Sequence, residues 1–132
     1  HRLVSAMTFR VLVCGGRHFY AKNWAFKALD LVDKARTITS IVHGDAFGAD
    51  RLAGEWGEER GREVIPVEAN WNLPITVAGA ERNSRMLRLH KPDLVVVFPG
   101  GRGTNNMAKQ AKERKVPVAY AKDINEGFEP PK

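Results

Sequence analysis

The stretch Val95–Met107, VVVFPGGRGTNNM, contains residue types that together bind anions. Its apolar start, Val95–Phe98, predicts a buried parallel strand. The turn that follows consists of Pro99, Gly100, Gly101, Arg102, Gly103 and Thr104. We expect Thr104 to be the N-cap of a helix that begins near Asn105. Free backbone N–H groups, the helix dipole and the arginine would then favour a phosphate at this turn, whereas a plain tight turn is the alternative.

A second glycine turn, HGDAFGAD, lies between another predicted strand and helix. Its candidate ligand-binding residues are Gly44, Asp45, Gly48 and Asp50. The two carboxylates suit the hydroxyl groups of a ribose, as acidic residues do in dinucleotide sites, or general acid–base catalysis. Alternatively, Asp45 stabilises the turn and Asp50 accepts hydrogen bonds from backbone N–H groups at the helix start.

Gly15 and Gly16 end the first predicted strand, and Arg17 follows them. This arginine is a candidate for neutralising a phosphate, with a surface role as the alternative. Arg82 and Asn83 form another candidate pair, since a guanidinium is a planar fork for phosphate and a carboxamide bonds base edges and sugars. The alternative for this pair is a solvated basic helix face.

Two further residues have an open interpretation. Glu81 precedes the Arg82–Asn83 pair and is either an acid–base candidate or part of an exposed salt bridge. Trp71 either stacks on a base or covers the core. Together with Asp45 and Asp50, Glu81 completes the set of candidate catalytic carboxylates.

Apolar periodicity predicts alternating strands and helices along the chain. The predicted strands are Phe9–Cys14, Ile38–His43, Glu63–Val67, Val95–Phe98 and Val116–Tyr120; the predicted helices are Asn23–Ala35, one that ends near Arg60, Val77–His90 and one from Asn105 to about Arg114. This alternation predicts an α/β fold, a Rossmann-like three-layer sandwich with a mostly parallel sheet of about five strands and helices on both faces. Since every unusual loop follows a strand, the candidate residues should meet at the carboxyl edge of the sheet.

Composition limits the function classes. The chain has 132 residues, of which 43% are hydrophobic and 27% charged, as in an ordinary folded domain. The net charge of +6 favours anionic ligands but does not separate a nucleotide from a nucleic acid. The single cysteine, Cys14, excludes an intramolecular disulfide and fits a cytoplasmic location. The four histidines show no metal-ligand spacing, so we predict neither a metal nor a cofactor.

No apolar run approaches the roughly 18 residues of a membrane span, so we predict no membrane partner. The first six residues, HRLVSA, are too short and too polar for a secretory signal, and we interpret them as a remnant before a native start at Met7. One domain is expected over residues 7–122, followed by an irregular tail over residues 123–132.

These motifs resemble the SLOG superfamily, the Rossmann-like group that includes DprA and the LOG phosphoribohydrolases. PGGRGT resembles the PGGxGT turn of LOG enzymes, and HGDAFGAD resembles a glycine turn of DprA. The stretch Ala69–Leu87, ANWNLPITVAGAERNSRML, resembles the small YspA-like branch. The resemblance covers nearly all of residues 9–120. It implies a nucleotide or nucleotide-derived ligand at the glycine turns, and family members often dimerise, so a homodimer is a further expectation.

One departure from the LOG pattern concerns catalysis. LOG enzymes have a glutamate three residues after the turn, which they need to cleave the base–ribose bond. This chain has Met107 at that position, and a thioether can neither carry a proton nor stabilise an oxocarbenium ion by charge. The LOG reaction therefore does not transfer to this residue.

Three hypotheses follow. The first is the binding of a nucleotide-like small molecule, for sensing, sequestration or processing. The second is N-glycosidic hydrolysis of a nucleoside 5′-monophosphate, with Asp45, Asp50 or Glu81 as the substitute carboxylate. The third is DprA-like binding of single-stranded DNA, which predicts an affinity that falls steeply with salt.

Overall fold

The computed structural model describes residues 8–131. Residues 1–6, which we interpret as a start remnant, lie outside this range, as do Met7 and Lys132. The strands are β1 (Arg10–Cys14), β2 (Ser40–His43), β3 (Glu63–Pro66), β4 (Leu94–Val97) and β5 (Val118–Tyr120). The helices are α1 (Lys22–Ala35), α2 (Ala49–Glu59), α3 (Ile75–His90), α4 (Arg102–Glu113) and α5 (Ala121–Ile124). Strands and helices alternate as the periodicity predicts.

The five strands form one sheet in the order β3-β2-β1-β4-β5, and every pairing between them is parallel. Val11 of β1 lies opposite Ile41 on one side and opposite Leu94 on the other. The predicted Rossmann-like α/β fold is therefore confirmed. Because the chain reverses its direction of travel between β1 and β4, a crevice opens beyond the carboxyl ends of these two strands.

Side chains of β1 alternate between two buried layers. Val11 and Val13 pack with α1, α2 and α5, whereas Leu12 and Cys14 pack with α3 and α4. A strand buried on both faces has no polar face, so its sequence is a continuous apolar run rather than an alternating one. Each fully buried valine or leucine stabilises the fold by about 1.5–3 kcal/mol.

Helix α4 begins three residues earlier than predicted. Gly101 is its N-cap, and Arg102 and Gly103 already belong to its first turn. The prediction that Thr104 is the N-cap is therefore wrong: Thr104 is a buried residue of the first turn, against which a Cβ at Gly100 would collide. Pattern rules place polar caps at helix starts, but this helix begins at an uncapped glycine.

The predicted irregular tail is wrong at its start, because α5 extends to Ile124. The Asn125 that follows is fully buried, and its side-chain Nδ2 donates to the backbone oxygen of Trp24. In return, Trp24 Nε1 donates to the oxygen of Phe128 at 3.0 Å. The tail thus holds Trp24 against Phe19 and Phe98, which belong to the loops that follow β1 and β4.

Gly48 fixes the loop after β2 against the loop after β1. It has a positive φ of 76°, and a Cβ there would overlap the oxygen of Gly16 and lie 2.6 Å from the carbonyl carbon of Arg17. Ala49 N donates to the same oxygen of Gly16 at 3.1 Å. The two loops are therefore docked through backbone atoms, which leaves no space for a side chain.

We expect Gly48→Ala to lower the free energy of unfolding by at least about 3 kcal/mol, because it combines left-handed strain with a backbone collision. Gly61→Ala is the matched control, since Gly61 has a φ of 70° and open space around it. The control should lose only about 1–2 kcal/mol. Urea unfolding measures both values, and equal losses would contradict the docked geometry.

Candidate functional site

A cavity of about 580 Å³ occupies the crevice beyond the carboxyl ends of the central strands. This volume lies within the range of small-molecule sites. Its lining includes most of the predicted site residues: Gly15, Gly16, Arg17, Gly44, Asp50, Arg82, Asn83, Pro99, Gly100, Gly101, Arg102, Gly103 and Thr104. The fold therefore brings residues from four separate stretches of sequence to one place.

The start of α4 forms one wall of the cavity. Asn105 N makes the first hydrogen bond of the helix, to the oxygen of Gly101 at 3.0 Å. The N–H groups of Arg102, Gly103 and Thr104 donate to no acceptor within residues 8–131, and no side chain caps the helix. These donors and the positive end of the helix dipole face a cavity that has room for an anion.

The glycines around the cavity have two different roles. A Cβ at Gly15 would lie 2.5 Å from the Ala49 Cβ, and one at Gly16 would lie 3.0 Å from the oxygen of Pro99. These two glycines let the loops pack together. Gly101 and Gly103, in contrast, have nothing within 4 Å of a built Cβ. Their missing side chains leave the helix start open to a ligand.

Arg82 supplies a half-buried positive charge. Its Nη1 donates to the oxygen of Gly44 at 2.6 Å, and its Nε donates to Asn83 Oδ1 at 3.3 Å. Burial lowers the pKa of Arg82, and Asp50 opposes this effect through its charge. Within the described part of the chain, no carboxylate makes an ion pair with Arg82, and its Nη2 has no hydrogen-bond partner.

Asn83 holds the two sides of the cavity together. Its Nδ2 donates to the oxygen of Gly103 at 3.2 Å and to Asn106 Oδ1 at 3.1 Å, while its Oδ1 accepts from Arg82. Both amide hydrogens are therefore used within the protein. In this arrangement the amide orients Arg82 and joins α3 to the first turn of α4, and contact of Asn83 with a base or sugar stays a prediction.

Asp50 is the carboxylate that lines the cavity. Its Oδ2 accepts from Gly44 N at 3.1 Å and from Ala46 N at 3.2 Å, whereas Oδ1 has no partner among residues 8–131. Burial raises the pKa of Asp50 to about 6, against the lowering effect of the backbone N–H groups and of Arg82. The carboxyl group therefore offers one free oxygen to a ligand, and its raised pKa is closer to neutral pH than that of an ordinary aspartate.

Two other titratable side chains are buried near Asp50. Burial raises the pKa of the Cys14 thiol to about 12, and the Asp50 charge adds to this effect. Cys14 therefore stays protonated and is a poor nucleophile. Burial also lowers the pKa of His43, whose Nδ1 accepts from Asp45 N at 2.9 Å, so its ring is neutral at physiological pH.

Four sequence candidates lie outside the cavity lining. Asp45 is exposed and has a φ of 57°, and Gly48 has the docking role described above. Trp71 is 64% exposed, away from the core. Glu81 accepts from Arg85 at 2.8 Å, and this hydrogen bond lowers the pKa of Glu81. The exposed salt-bridge interpretation of Glu81 thus describes the geometry.

Met107 is fully buried in the layer between the sheet and α3–α4. It does not line the cavity, so this position contributes to the core. Sequence reasoning missed Ala46, Phe19 and Met86 as lining residues. Apolar residues of these types occur throughout the core. The loops after β1 and β2 bring Phe19 and Ala46 to the cavity, and α3 brings Met86.

No group of three or more acidic, histidine or cysteine side chains that could hold a metal occurs within residues 8–131. Over the same range, no helix has both the length and the apolar character to cross a membrane.

Fold and site together define a Rossmann-like α/β domain with a glycine-lined, arginine-containing cavity at the switch point. The chain belongs to the YspA, cpYpsA-related SLOG family, YAcAr. The model of that family matches residues 9–73, which include the turns after β1 and β2 but neither α3 nor the turn before α4.

One relative is the Gene 61 protein of Mycobacterium phage D29. It is 33% identical over 129 residues, which cover 92% of this chain and 98% of the relative. The two chains therefore match over nearly their whole lengths.

Solved structures of DprA share the fold. The Helicobacter pylori protein, described for its single-stranded DNA binding mode, aligns with a TM-score of 0.66 and 17% identity over 91% of this chain and 68% of its own. The Streptococcus pneumoniae protein aligns with a TM-score of 0.53 and 15% identity over 92% of this chain and 62% of its own. The chain thus spans about two thirds of the DprA chains.

The buried Asp50 should make stability depend on pH. Its pKa is raised above the unfolded value of 3.8, so this contribution is fully present below that value and is lost as the pH rises through about 6. Asp50→Asn removes the buried charge. We expect the melting temperature of the variant minus that of wild type to be larger at pH 8 than at pH 4 by on the order of 10 °C. This change corresponds to about 3 kcal/mol in the free energy of unfolding.

Asp45→Asn is the control for a carboxylate on the same loop that water reaches. Thermal unfolding of the three proteins across this pH range gives the result. A difference between wild type and Asp50→Asn that does not change with pH would show that Asp50 is not held in a costly buried position.

Proposed function

We propose that the protein binds a nucleotide or a nucleotide-derived phosphorylated ligand in the cavity at the carboxyl edge of the sheet. The observation that carries this proposal is Arg82, a half-buried cation that lines the cavity without an ion-pair partner among the described residues. A half-buried charge that makes no ion pair is costly, and a bound anion lowers that cost.

The distribution of charge in the cavity fits a phosphorylated sugar. The N-terminus of α4 and the exposed arginines Arg17 and Arg102 offer positive charge and N–H donors to a phosphate. Asp50, which follows β2, offers an acceptor with a free Oδ1 to hydroxyl groups. A ligand with a phosphate at one end and hydroxyl donors at the other end satisfies both.

The comparisons support this proposal at a coarse level. The SLOG family and the DprA-like fold are consistent with ligands related to nucleotides or single-stranded DNA. Binding measurements with a panel of nucleotides that differ in base and in number of phosphates would identify the ligand.

We expect Arg82→Gln to weaken the binding of nucleoside monophosphates by roughly 10- to 100-fold, because a charged hydrogen bond contributes about 1.5–3 kcal/mol. Arg85→Gln is the matched control on the same helix, since Arg85 pairs with Glu81 outside the cavity. Isothermal titration calorimetry gives the affinities, and melting temperatures without ligand confirm that both variants are folded. An equal effect of the two substitutions would overturn the assignment of Arg82.

A second candidate function rests on Asp50, whose buried carboxyl group has a free oxygen in the cavity. In this reaction, water adds across the bond between C1′ and the base of a nucleoside 5′-monophosphate, which releases the base and ribose 5-phosphate. A carboxyl group with a pKa near 6 suits proton transfer at neutral pH.

Chromatography of the released base tests this reaction. We expect wild type to release the base from the nucleotide that it binds, and Asp50→Asn to lower the rate by at least about 100-fold while it still binds the nucleotide. Binding without any base release by wild type would exclude the hydrolase and leave the binding function intact.

A further inference from the structure

Helix α4 presents a stripe of polar and positive side chains to solvent. Arg102, Asn105, Lys109 and Lys112 are all exposed, and their spacing of three and four residues places them on one face. The stripe begins at Arg102, which lines the cavity, and extends for about 15 Å along the helix. We call these four residues the α4 stripe.

The charges of α4 differ from those of the helices on the opposite face of the sheet. Residues 102–115 contain five cations and one acid, whereas α1 and α2 contain four cations and six acids. Several of the charges on α1 and α2 pair with each other or with Arg60, which follows α2, as in the contacts Lys22–Glu55, Lys22–Glu59 and Asp30–Arg60. Within the described chain, no cation of the α4 stripe has an ion-pair partner.

This arrangement opposes the stability of the isolated helix. Arg102 lies in the first turn of α4, where the helix dipole disfavours a cation, and that turn contains no acidic residue. Lys109 and Lys112 are like charges three residues apart. A ligand with repeated negative charges would stabilise all three positions.

An aromatic ring lies at the far end of the stripe. Lys112 Nζ lies 2.9 Å from the hydroxyl oxygen of Tyr120, and the tyrosine is 39% exposed at the end of β5. Proteins bind single-stranded nucleic acids through positive side chains placed along the phosphate backbone of the strand and through exposed aromatic rings on which its bases stack.

We infer that the cavity and the α4 stripe form one continuous surface for a single-stranded nucleic acid. One nucleotide occupies the cavity, and the neighbouring phosphates lie along Arg102, Lys109 and Lys112. This inference rests on the proposed function, because it extends the ligand of that site from a mononucleotide to a strand.

The test compares a nucleoside monophosphate with a single-stranded oligonucleotide of about ten nucleotides, a length typical of single-strand-binding sites. Affinities are measured between about 50 and 200 mM salt for wild type and for the double variant Lys109→Gln and Lys112→Gln. The matched control is Lys27→Gln with Lys34→Gln, which removes the same charge from exposed positions of α1.

We expect the oligonucleotide to bind more tightly than the monophosphate and with a steeper salt dependence. The α4 variant should lower the slope of log affinity against log salt by about 1.4, or about 0.7 for each lost phosphate contact, without changing monophosphate binding. The α1 variant should leave both ligands unaffected.

Four results would overturn the inference. Equal losses in the two double variants would indicate non-specific attraction to the net charge. Monophosphate binding with no gain for the oligonucleotide would confine the ligand to the cavity and leave the proposed function standing. Binding to vesicles of anionic phospholipid, dependent on Lys109 and Lys112 and without oligonucleotide binding, would assign the stripe to a membrane surface. Failure to bind either nucleic-acid ligand would remove the proposed function as well.

Discussion

Arg82 makes no ion pair within residues 8–131, and the rest of the site is arranged around this charge. Arg82 is held by the Gly44 carbonyl and the Asn83 amide, which orient the guanidinium without neutralising it. The first turn of α4 adds free N–H groups in place of a capping side chain. Some arginines outside the cavity do pair with acids, as in Arg60–Asp30 and Arg62–Asp33. Under the proposed function, an anion from outside the chain supplies the counter-charge that Arg82 lacks in an ion pair.

The architecture places these groups within reach of one another by backbone packing. Gly15, Gly16 and Gly48 let the loops after β1 and β2 dock through main-chain atoms. Asn83 then connects α3 to Gly103 at the start of α4. The site therefore depends on close loop contacts and on one buried amide rather than on a large apolar interface.

Much of the fold could be predicted from sequence because its signals are local. The continuous apolar runs of β1 and β4 indicate strands that are buried on both faces, and the alternation with helices requires parallel crossovers. The convergence of the glycine turns follows from that topology, and the structure brings Gly16, Gly44 and Gly101 to one cavity.

The wrong N-cap prediction, and two features that the sequence does not reveal, have physical causes. Thr104 matches the residue types preferred at an N-cap, but the N-cap of α4 is Gly101. Residue preferences alone do not show at which residue the backbone becomes helical. Asn83 can bond a base, yet its partners Gly103 and Asn106 lie 20 and 23 residues away in sequence. Trp71 is exposed because its loop leaves the core, which side-chain hydrophobicity does not encode.

The most direct measurement is a two-dimensional ¹H–¹⁵N NMR titration of the full chain with a nucleoside 5′-monophosphate. The central claim is that the phosphate binds at the start of α4, so the amide signals of Arg102, Gly103 and Thr104 should move most and should saturate together. The amide of Gly61, far from the cavity lining, should stay in place. Saturable shifts centred on another surface, with the α4 amides unchanged, would contradict the claim.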